Sequence, residues 1–309
     1  MINVSHKTQS LRYAKAEGLL KAGPDVRQRL REKSIPKGDV EATARAAGID
    51  AAKRTSEWVT FCQTLPLDWV DLQFEVVDEG LKVTAEAQTV WKTGVEIEVI
   101  TAVSAALINA YDMCKPLADD LTMTDVTVVE KQGGYSNYRQ EFEEDLGAAV
   151  LVVSDSTYAG DREDRSGKVI QSFLEDYPVE IETYDILPDE PDRIQNYVAE
   201  QADRHAIDLI FTTGGTGFGP RDETPGAIAS LLEKEAPGIA EKMRSYGTER
   251  TPYALLSRQI AGTIGQTLVV TLPGSSSGAE ESLHALFPGL LHIFPMLWGG
   301  SHEKPGSSE

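Results

Sequence analysis

Apolar and polar residues alternate at Leu72, Phe74 and Val76, and again at Leu81, Val83 and Ala85, on either side of Asp78-Glu79-Gly80. A period of two flanking a glycine turn predicts an antiparallel hairpin. Between residues 95 and 114 the period changes: Val99, Ala102, Val103, Ala106 and Ala110 recur at helical spacing, and Lys115-Pro116 ends the run. Alternation returns over 123–129 and closes at Gly133-Gly134. Lys37-Gly38-Asp39-Val40 leads into a further helix. Hairpin strands with helices over one face make an α+β layer around an antiparallel sheet. Glu96 and Glu98 would face one way on an extended segment and diverge within a helix. Glu96 is read as the approach to the helix that starts near Val95.

The pattern changes character near residue 145, after an acidic stretch at 139–145 that is poor in apolar residues and reads as a junction. Beyond it, continuous apolar runs at 148–153, 209–213 and 268–272 read as strands buried on both faces, with another strand at 181–187. Helical patterns lie between them at 167–174, 193–202, 227–232 and 279–291. Alternating strand and helix predict a three-layer α/β unit with a mostly parallel sheet, whose ligands bind beyond the carboxyl ends of the strands. The expected domains are 1–143 and 147–301, with 302–309 as a disordered tail.

Composition narrows the function classes. A chain of 309 residues suits two domains. Its 29 Lys and Arg against 49 Asp and Glu give −20, a sign that repels nucleic acid and anionic membranes, so neither is an expected partner. Two cysteines, Cys62 and Cys114, cannot build a disulfide scaffold, and no CxxC zinc spacing occurs. The N-terminus lacks the apolar core of a secretion signal, and no run is read as approaching the roughly 20 apolar residues of a spanning helix. A soluble, cytoplasmic protein is the expectation.

Three strand ends in the second half carry glycines and polar groups. They are Ser154-Asp155-Ser156, the TTGGTG turn at 212–217 followed by PRDETP at 220–225, and the LPGSSSG turn at 272–278. Glycines after a buried strand let backbone N–H groups approach an anion, and helix N-termini add positive potential. The loop is not a Walker A motif, because no Lys-Ser/Thr follows the last glycine. Asp222 stands where a carboxylate can hold Mg²⁺ against phosphate, and Asp189, ending the 181–187 strand, is a second acid. Plain tight turns and a helix cap at Thr224-Pro225 are the other reading of the same residues.

TTGGTG, PRDETP, LSRQIAG (256–262) and LPGSSSGAEE (272–281) together resemble the MoaB/MogA molybdopterin-binding family over about 147–298. The resemblance implies a molybdopterin adenylyltransferase that uses Mg²⁺ with ATP. It matches Asp189 and Asp222 to catalytic or metal-site acids, and Gly214, Gly215, Thr216 and Gly217 to the phosphate or pterin loop. Thr224, Ser257, Gly274, Ser275 and Ser276 match substrate-contacting positions. Ser156 stands where that family commonly has Arg.

In the first half, Asp112 and Lys115 are i, i+3 and share a helix face. Lysines neutralise phosphate and transfer protons when burial lowers their pKa, although such a pair is equally a surface ion pair. The strings PKGDVEATARAAGIDAAKRT (36–55), KTGVEIEVITAVSAALINAYDMCK (92–115) and KQGG (131–134) resemble the cyclic pyranopterin monophosphate synthase (MoaC) family over about 2–137. The resemblance implies a ferredoxin-like fold and conversion of cyclised dihydro-GTP to cyclic pyranopterin monophosphate plus pyrophosphate. Lys37, Asp112 and Lys115 match catalytic positions; Lys53, Cys62, Gln63, Glu96, Ile97 and Glu98 match substrate-binding ones. It also implies a site between subunits, hence a homo-oligomer, dimer-based or trimer-based and up to a hexamer. Two positions depart from the pattern: Gln63 replaces the histidine of Cys-His-Pro-Leu, and Tyr135 replaces the second lysine of KSGGKS. Glutamine cannot shuttle a proton near neutral pH. A bifunctional molybdenum-cofactor enzyme is therefore one reading, and a pterin- and nucleotide-binding assembly module with an impaired first half is the other.

Overall fold

The computed structural model describes residues 1–299, so the tail expected at 302–309 lies outside the described residues. The chain divides into two compact units, the first ending at Tyr138 and the second starting at Arg139.

The first unit runs β1 (Ser10–Lys21), α1 (Pro24–Arg31), α2 (Val40–Lys53), β2 (Trp69–Val77), β3 (Gly80–Trp91), α3 (Glu96–Cys114) and β4 (Thr122–Gln132). Its sheet has the order β2-β3-β1-β4, with every neighbouring pair antiparallel. The predicted hairpin is β2–β3, with Val77 paired to Gly80 across the turn. The central strand, β1, has no counterpart in the sequence expectations. Its core side is Arg12, Ala14, Ala16, Gly18 and Leu20, too small in the middle to register as an apolar alternation. Those small residues admit α3: a Cβ on Gly18 would come 2.7 Å from Val103 and 2.8 Å from Leu107.

Asp39 caps α2 by accepting from the Ala42 N–H at 3.0 Å. Gly48 lets α2 lie against α3, since a Cβ there would come 2.9 Å from the Ala102 carbonyl oxygen. With Gly48 beside Ala102 and Lys37 beside Asp112, the two helices run antiparallel. Against the expectation of no such run, α3 is long and apolar enough to cross a membrane by length and composition alone. Its place in the fold accounts for that composition: Val99, Ala102, Val103, Ala106, Leu107 and Ala110 are fully buried in the core of the unit. Glu96, expected in the approach, is the first helical residue, with Val95 at the N-cap.

The second unit runs β5 (Leu146–Val153), α4 (Asp155–Tyr158), α5 (Ser166–Leu174), β6 (Val179–Leu187), α6 (Pro191–Ala202), β7 (Leu209–Thr213), α7 (Thr224–Ala229), β8 (Lys234–Glu235), α8 (Pro237–Thr248), β9 (Ala261–Ile264), β10 (Thr267–Leu272), α9 (Ser276–Leu286) and α10 (Ile293–Leu297). The sheet order is β6-β5-β7-β10-β9-β8; the first four strands are parallel, and β9 pairs antiparallel with both β10 and β8. Each residue of β5 is buried. Leu146, Ala148 and Val150 join one core with α5, α8 and α9, while Ala149, Leu151 and Val153 join another with α6 and α7. A strand buried on both faces between two helical layers is the three-layer arrangement.

Among the boundaries that differ from expectation, three have a clear physical reason. The helix expected at 227–232 starts at Thr224, where Pro225 favours a first turn. The helix expected over 279–291 ends at Leu286, because Pro288 cannot donate to its ladder. The acidic segment 139–145 belongs to the second unit. Phe142 stands edge-on to Phe294 (6.4 Å) and Trp298 (5.9 Å), and Arg139 donates to the Asp176 carbonyl oxygen. One aromatic side chain thus outweighs the charge of its neighbours. Phe142→Ala is expected to destabilise the second unit by about 2 kcal/mol, below the range for a fully buried phenylalanine because Phe142 is only part-buried. Urea unfolding of the full chain checks this; a change under about 0.5 kcal/mol, the size typical of surface substitutions, would return the segment to the role of a linker.

Candidate functional sites

In the first unit, the antiparallel pairing of α2 and α3 brings Lys37 to the far end of α3. The Lys37 Nζ donates to the Asp112 carbonyl oxygen and to its Oδ2, both at 2.8 Å, and Lys115 Nζ lies 2.7 Å from Asp112 Oδ1. Hydrogen bonds first from Lys115 and then from Lys37 lower the Asp112 carboxyl to about 2. Its ion pairs therefore hold above the ordinary carboxylate range and are lost only as pH falls through about 2. The cluster is half-exposed and leaves two ammonium groups sharing one carboxylate, an arrangement with net positive charge available to an anion.

At the other end of α3 the two glutamates diverge, as a helix requires. Glu98 is 3% exposed and accepts from the Cys62 Sγ at 3.4 Å. Burial pushes the Glu98 carboxyl up, and burial together with Glu98 pushes the Cys62 thiol to about 11. Glu96 faces Lys131 at 3.8 Å. It lines a cleft of about 230 Å³ with Lys7, Arg12, Lys131 and Tyr135. Arg12 is 8% exposed; its Nε and Nη2 donate to the carbonyl oxygens of Trp91 and Lys92, and burial lowers its pKa. Gln63 uses its amide on the Ile2 carbonyl oxygen at 2.8 Å. Ile97 is exposed in the first turn of α3, and Lys53 is exposed in the last turn of α2.

The two clusters do not meet within one chain. Glu98 and Asp112 are 14 residues apart on one helix, about 20 Å at 1.5 Å per residue.

In the second unit, Asp189 and Asp222 line one cleft of about 210 Å³ together with Gly214, Gly215, Gly274, Ser276 and the loop residues Arg162 and Arg165. Asp189 sits just past β6. The Asp155 N–H donates to its Oδ2, and the Asp189 N–H returns a bond to Asp155 Oδ1, both at 3.1 Å. Arg221 Nη2 donates to Asp155 Oδ1 at 2.8 Å and to the Asp189 carbonyl oxygen at 3.2 Å. The Asp222 Oδ2 accepts from the Gly219 N–H at 2.7 Å. Burial pushes the Asp189 carboxyl up, and the charges of Asp155 and Asp222 add to the rise.

The glycine turn is built for close approach. Gly214 (φ +108°) and Gly215 (φ +61°) adopt the left-handed region, and a Cβ on Gly215 would run into Thr224 Oγ1 and come 3.1 Å from Asp189 Oδ1. Thr224 Oγ1 is buried with no hydrogen-bond partner among the described residues. Thr216, Gly217, Ser257 and Ser275 line an adjoining cleft of about 470 Å³ that shares Gly274 and is walled by Phe218, Met243 and Leu256. Ser275 also caps α9, accepting from the Gly278 N–H. Among the described residues no three His, Cys, Asp or Glu side chains are grouped to hold a metal ion by themselves.

Two family models divide the chain: "MoaC family" matches residues 1–134, and "Probable molybdopterin binding domain" matches 149–292. A curated relative from Chlorobaculum tepidum, a molybdenum cofactor biosynthesis bifunctional protein, is 39% identical over 98% of this chain and 96% of its own length. The chain belongs to the family of molybdenum cofactor biosynthesis bifunctional proteins. Single-reaction relatives each match one part of it. A cyclic pyranopterin monophosphate synthase from Heliobacterium modesticaldum is 42% identical over 45% of this chain and 88% of its own. A molybdopterin adenylyltransferase from Helicobacter pylori is 39% identical over 48% of this chain and 86% of its own.

Within this bifunctional frame, sequence reasoning missed Lys7, Arg12 and Arg162, and placed Arg165 among the polar residues after the first strand end without giving it a role. Arg12 lies on the overlooked strand β1. It also missed the tie between Asp155 and Arg221. Arg221 bonds Asp155, the residue before Ser156, from 66 residues away. The Arg-Asp dipeptide at 221–222 and the Ser-Asp dipeptide at 154–155 were the available signals, but only Asp222 was read from them.

Proposed function

We propose that the second unit transfers AMP from magnesium-bound ATP to molybdopterin, and that the first converts cyclised dihydro-GTP to cyclic pyranopterin monophosphate and pyrophosphate. For the second unit one observation carries the reading: Asp189 and Asp222 share a cleft with the Gly214-Gly215 turn. Asp189 and Asp222 both line that cleft, and burial and the charges of neighbouring Asp155 and of Asp222 already push Asp189 up, which favours a divalent cation brought in with substrate phosphates. Mg²⁺ takes one or two carboxylates plus substrate phosphates, so it enters as part of the ATP substrate. The terminal phosphate oxygen of molybdopterin bonds to the α-phosphorus, the α–β phosphoanhydride breaks, and pyrophosphate leaves. The adjoining apolar cleft at Phe218, Met243 and Leu256 suits the pterin.

For the first unit, lysines at Lys37 and Lys115 and the Arg12–Lys131 cleft suit a triphosphate, and Glu98 supplies a buried carboxyl for proton transfer. Relatives named for both reactions favour this over an assembly module alone. The β-α-β-β-α-β path with sheet order β2-β3-β1-β4 supports a ferredoxin-like fold. The free cysteines suit a reducing cytoplasm. Because the two clusters stand about 20 Å apart on one helix, the complete site takes one cluster from each of two copies, and the protein is a homo-oligomer built on that pair.

Two experiments test these readings. Lys115→Ala and Glu98→Gln chains, each inactive alone, are co-expressed. Random pairing makes half the pairs mixed, each with one intact site, so synthase activity should recover to about 25% of wild type; a mixture no more active than its components would place the site within one chain. For the second unit, the acid limb of kcat/KM for AMP transfer, which reports the free enzyme, should lie above that of an ordinary aspartate, because burial and neighbouring charges push Asp189 up and a protonated Asp189 does not take up the cation. Asp155→Asn removes a neighbouring negative charge and should move that limb to lower pH. An unmoved limb in the pH–rate profile would take Asp189 out of cation binding.

A further inference from the structure

Residues 2–8 are held at both ends by side chains from distant loops. Gln63 Nε2 donates to the Ile2 carbonyl oxygen at 2.8 Å. Tyr135 OH accepts from the Thr8 N–H at 2.9 Å and lies 3.2 Å from Thr8 Oγ1. Between these points the segment is turned by the Lys7 N–H on the Val4 carbonyl oxygen and by the Ser5 N–H on Asn3 Oδ1. Six residues reach at most about 20 Å. Both anchors lie at the Glu98 end of α3. Gln63 follows Cys62, which bonds Glu98; Tyr135 follows Gly134, whose missing Cβ leaves room for the Arg12 guanidinium. Lys7, inside the segment, lines the same cleft as Arg12, Lys131 and Glu96. Three cations against one carboxylate make this cleft positive in a chain of net charge −20.

We propose that Gln63 and Tyr135 are positioning residues for the synthase reaction: they pin residues 2–8 across the cleft so that Lys7 joins Arg12 and Lys131 in holding the phosphate chain of the substrate. The proposal rests on the synthase reading of the first unit. It gives a use to both positions where the chain departs from the MoaC pattern. A glutamine donor and a phenol oxygen act here as clamps on backbone, a task that needs no proton exchange.

The test uses the full-length protein. Tyr135→Phe removes one oxygen and should raise KM for the cyclised dihydro-GTP about tenfold, with kcat within about threefold, since only binding is loosened. Thr8→Val, which loses the hydroxyl contact but keeps the backbone N–H bond, should raise KM less than Tyr135→Phe, and the double variant should be no worse than Tyr135→Phe alone, because the contact Thr8→Val removes is already lost there. Hydrogen exchange with inorganic pyrophosphate as the probe gives a readout independent of turnover. In the wild type the amides of residues 3–8 should exchange more slowly when pyrophosphate is bound, and Tyr135→Phe should lose that protection. An unchanged KM, or pyrophosphate bound with no slowing at 3–8, would overturn the proposal. Slowing at 3–8 in a wild type that forms no cyclic pyranopterin monophosphate would keep the clamp and sink the synthase reading instead.

Discussion

The burial of α3 along its whole length constrains the first unit more than any other contact. Small residues on β1 and on α2 let the helix lie close to both, and Gly18 and Gly48 leave no space for a side chain. A helix seated this way cannot bend its ends together. The groups at its termini, Glu96 and Glu98 at one end and Asp112 and Lys115 at the other, are therefore held apart by a rigid spacer. The same packing that stabilises the unit separates the two halves of its chemistry, which is why a second copy enters the functional account.

The second unit solves a different problem. Its parallel strands end at one edge, and the chain turns there through glycines that bring Asp189, Asp222 and the backbone of residues 214 and 215 around one cleft. Carboxylates packed this closely repel each other. Arg221 offsets part of that repulsion on Asp155, and Arg162 and Arg165 line the same cleft.

Legibility followed side-chain size. The β2–β3 hairpin and α3 could be read because Leu, Val and Phe carried their periods. The central strand β1 could not, because Ala14, Ala16 and Gly18 bury little apolar surface while holding the position on which the sheet depends. Losing β1 also hid Arg12, and with it the positive cleft at Lys131. In the second unit the glycine turns stood out, since left-handed backbone at 214 and 215 demands glycine. Arg221 and Asp155 did not, because their pairing spans 66 residues and no local pattern records it. Phe142 was overlooked for the opposite reason: one anchoring ring lies in a run whose charge suggested a linker.

The central claim is that the charged groups of each reaction lie in one unit type, those of the first reaction contributed by the first units of two copies and those of the second by the second unit. It is tested most directly by measuring cyclic pyranopterin monophosphate formation and AMP transfer on the same full-length preparations of wild type, Lys115→Ala and Asp222→Asn. Lys115→Ala should silence the first reaction and leave the second at the wild-type rate, and Asp222→Asn should do the reverse. A single substitution that lowers both reactions together, or AMP transfer that survives Asp222→Asn, would contradict the account.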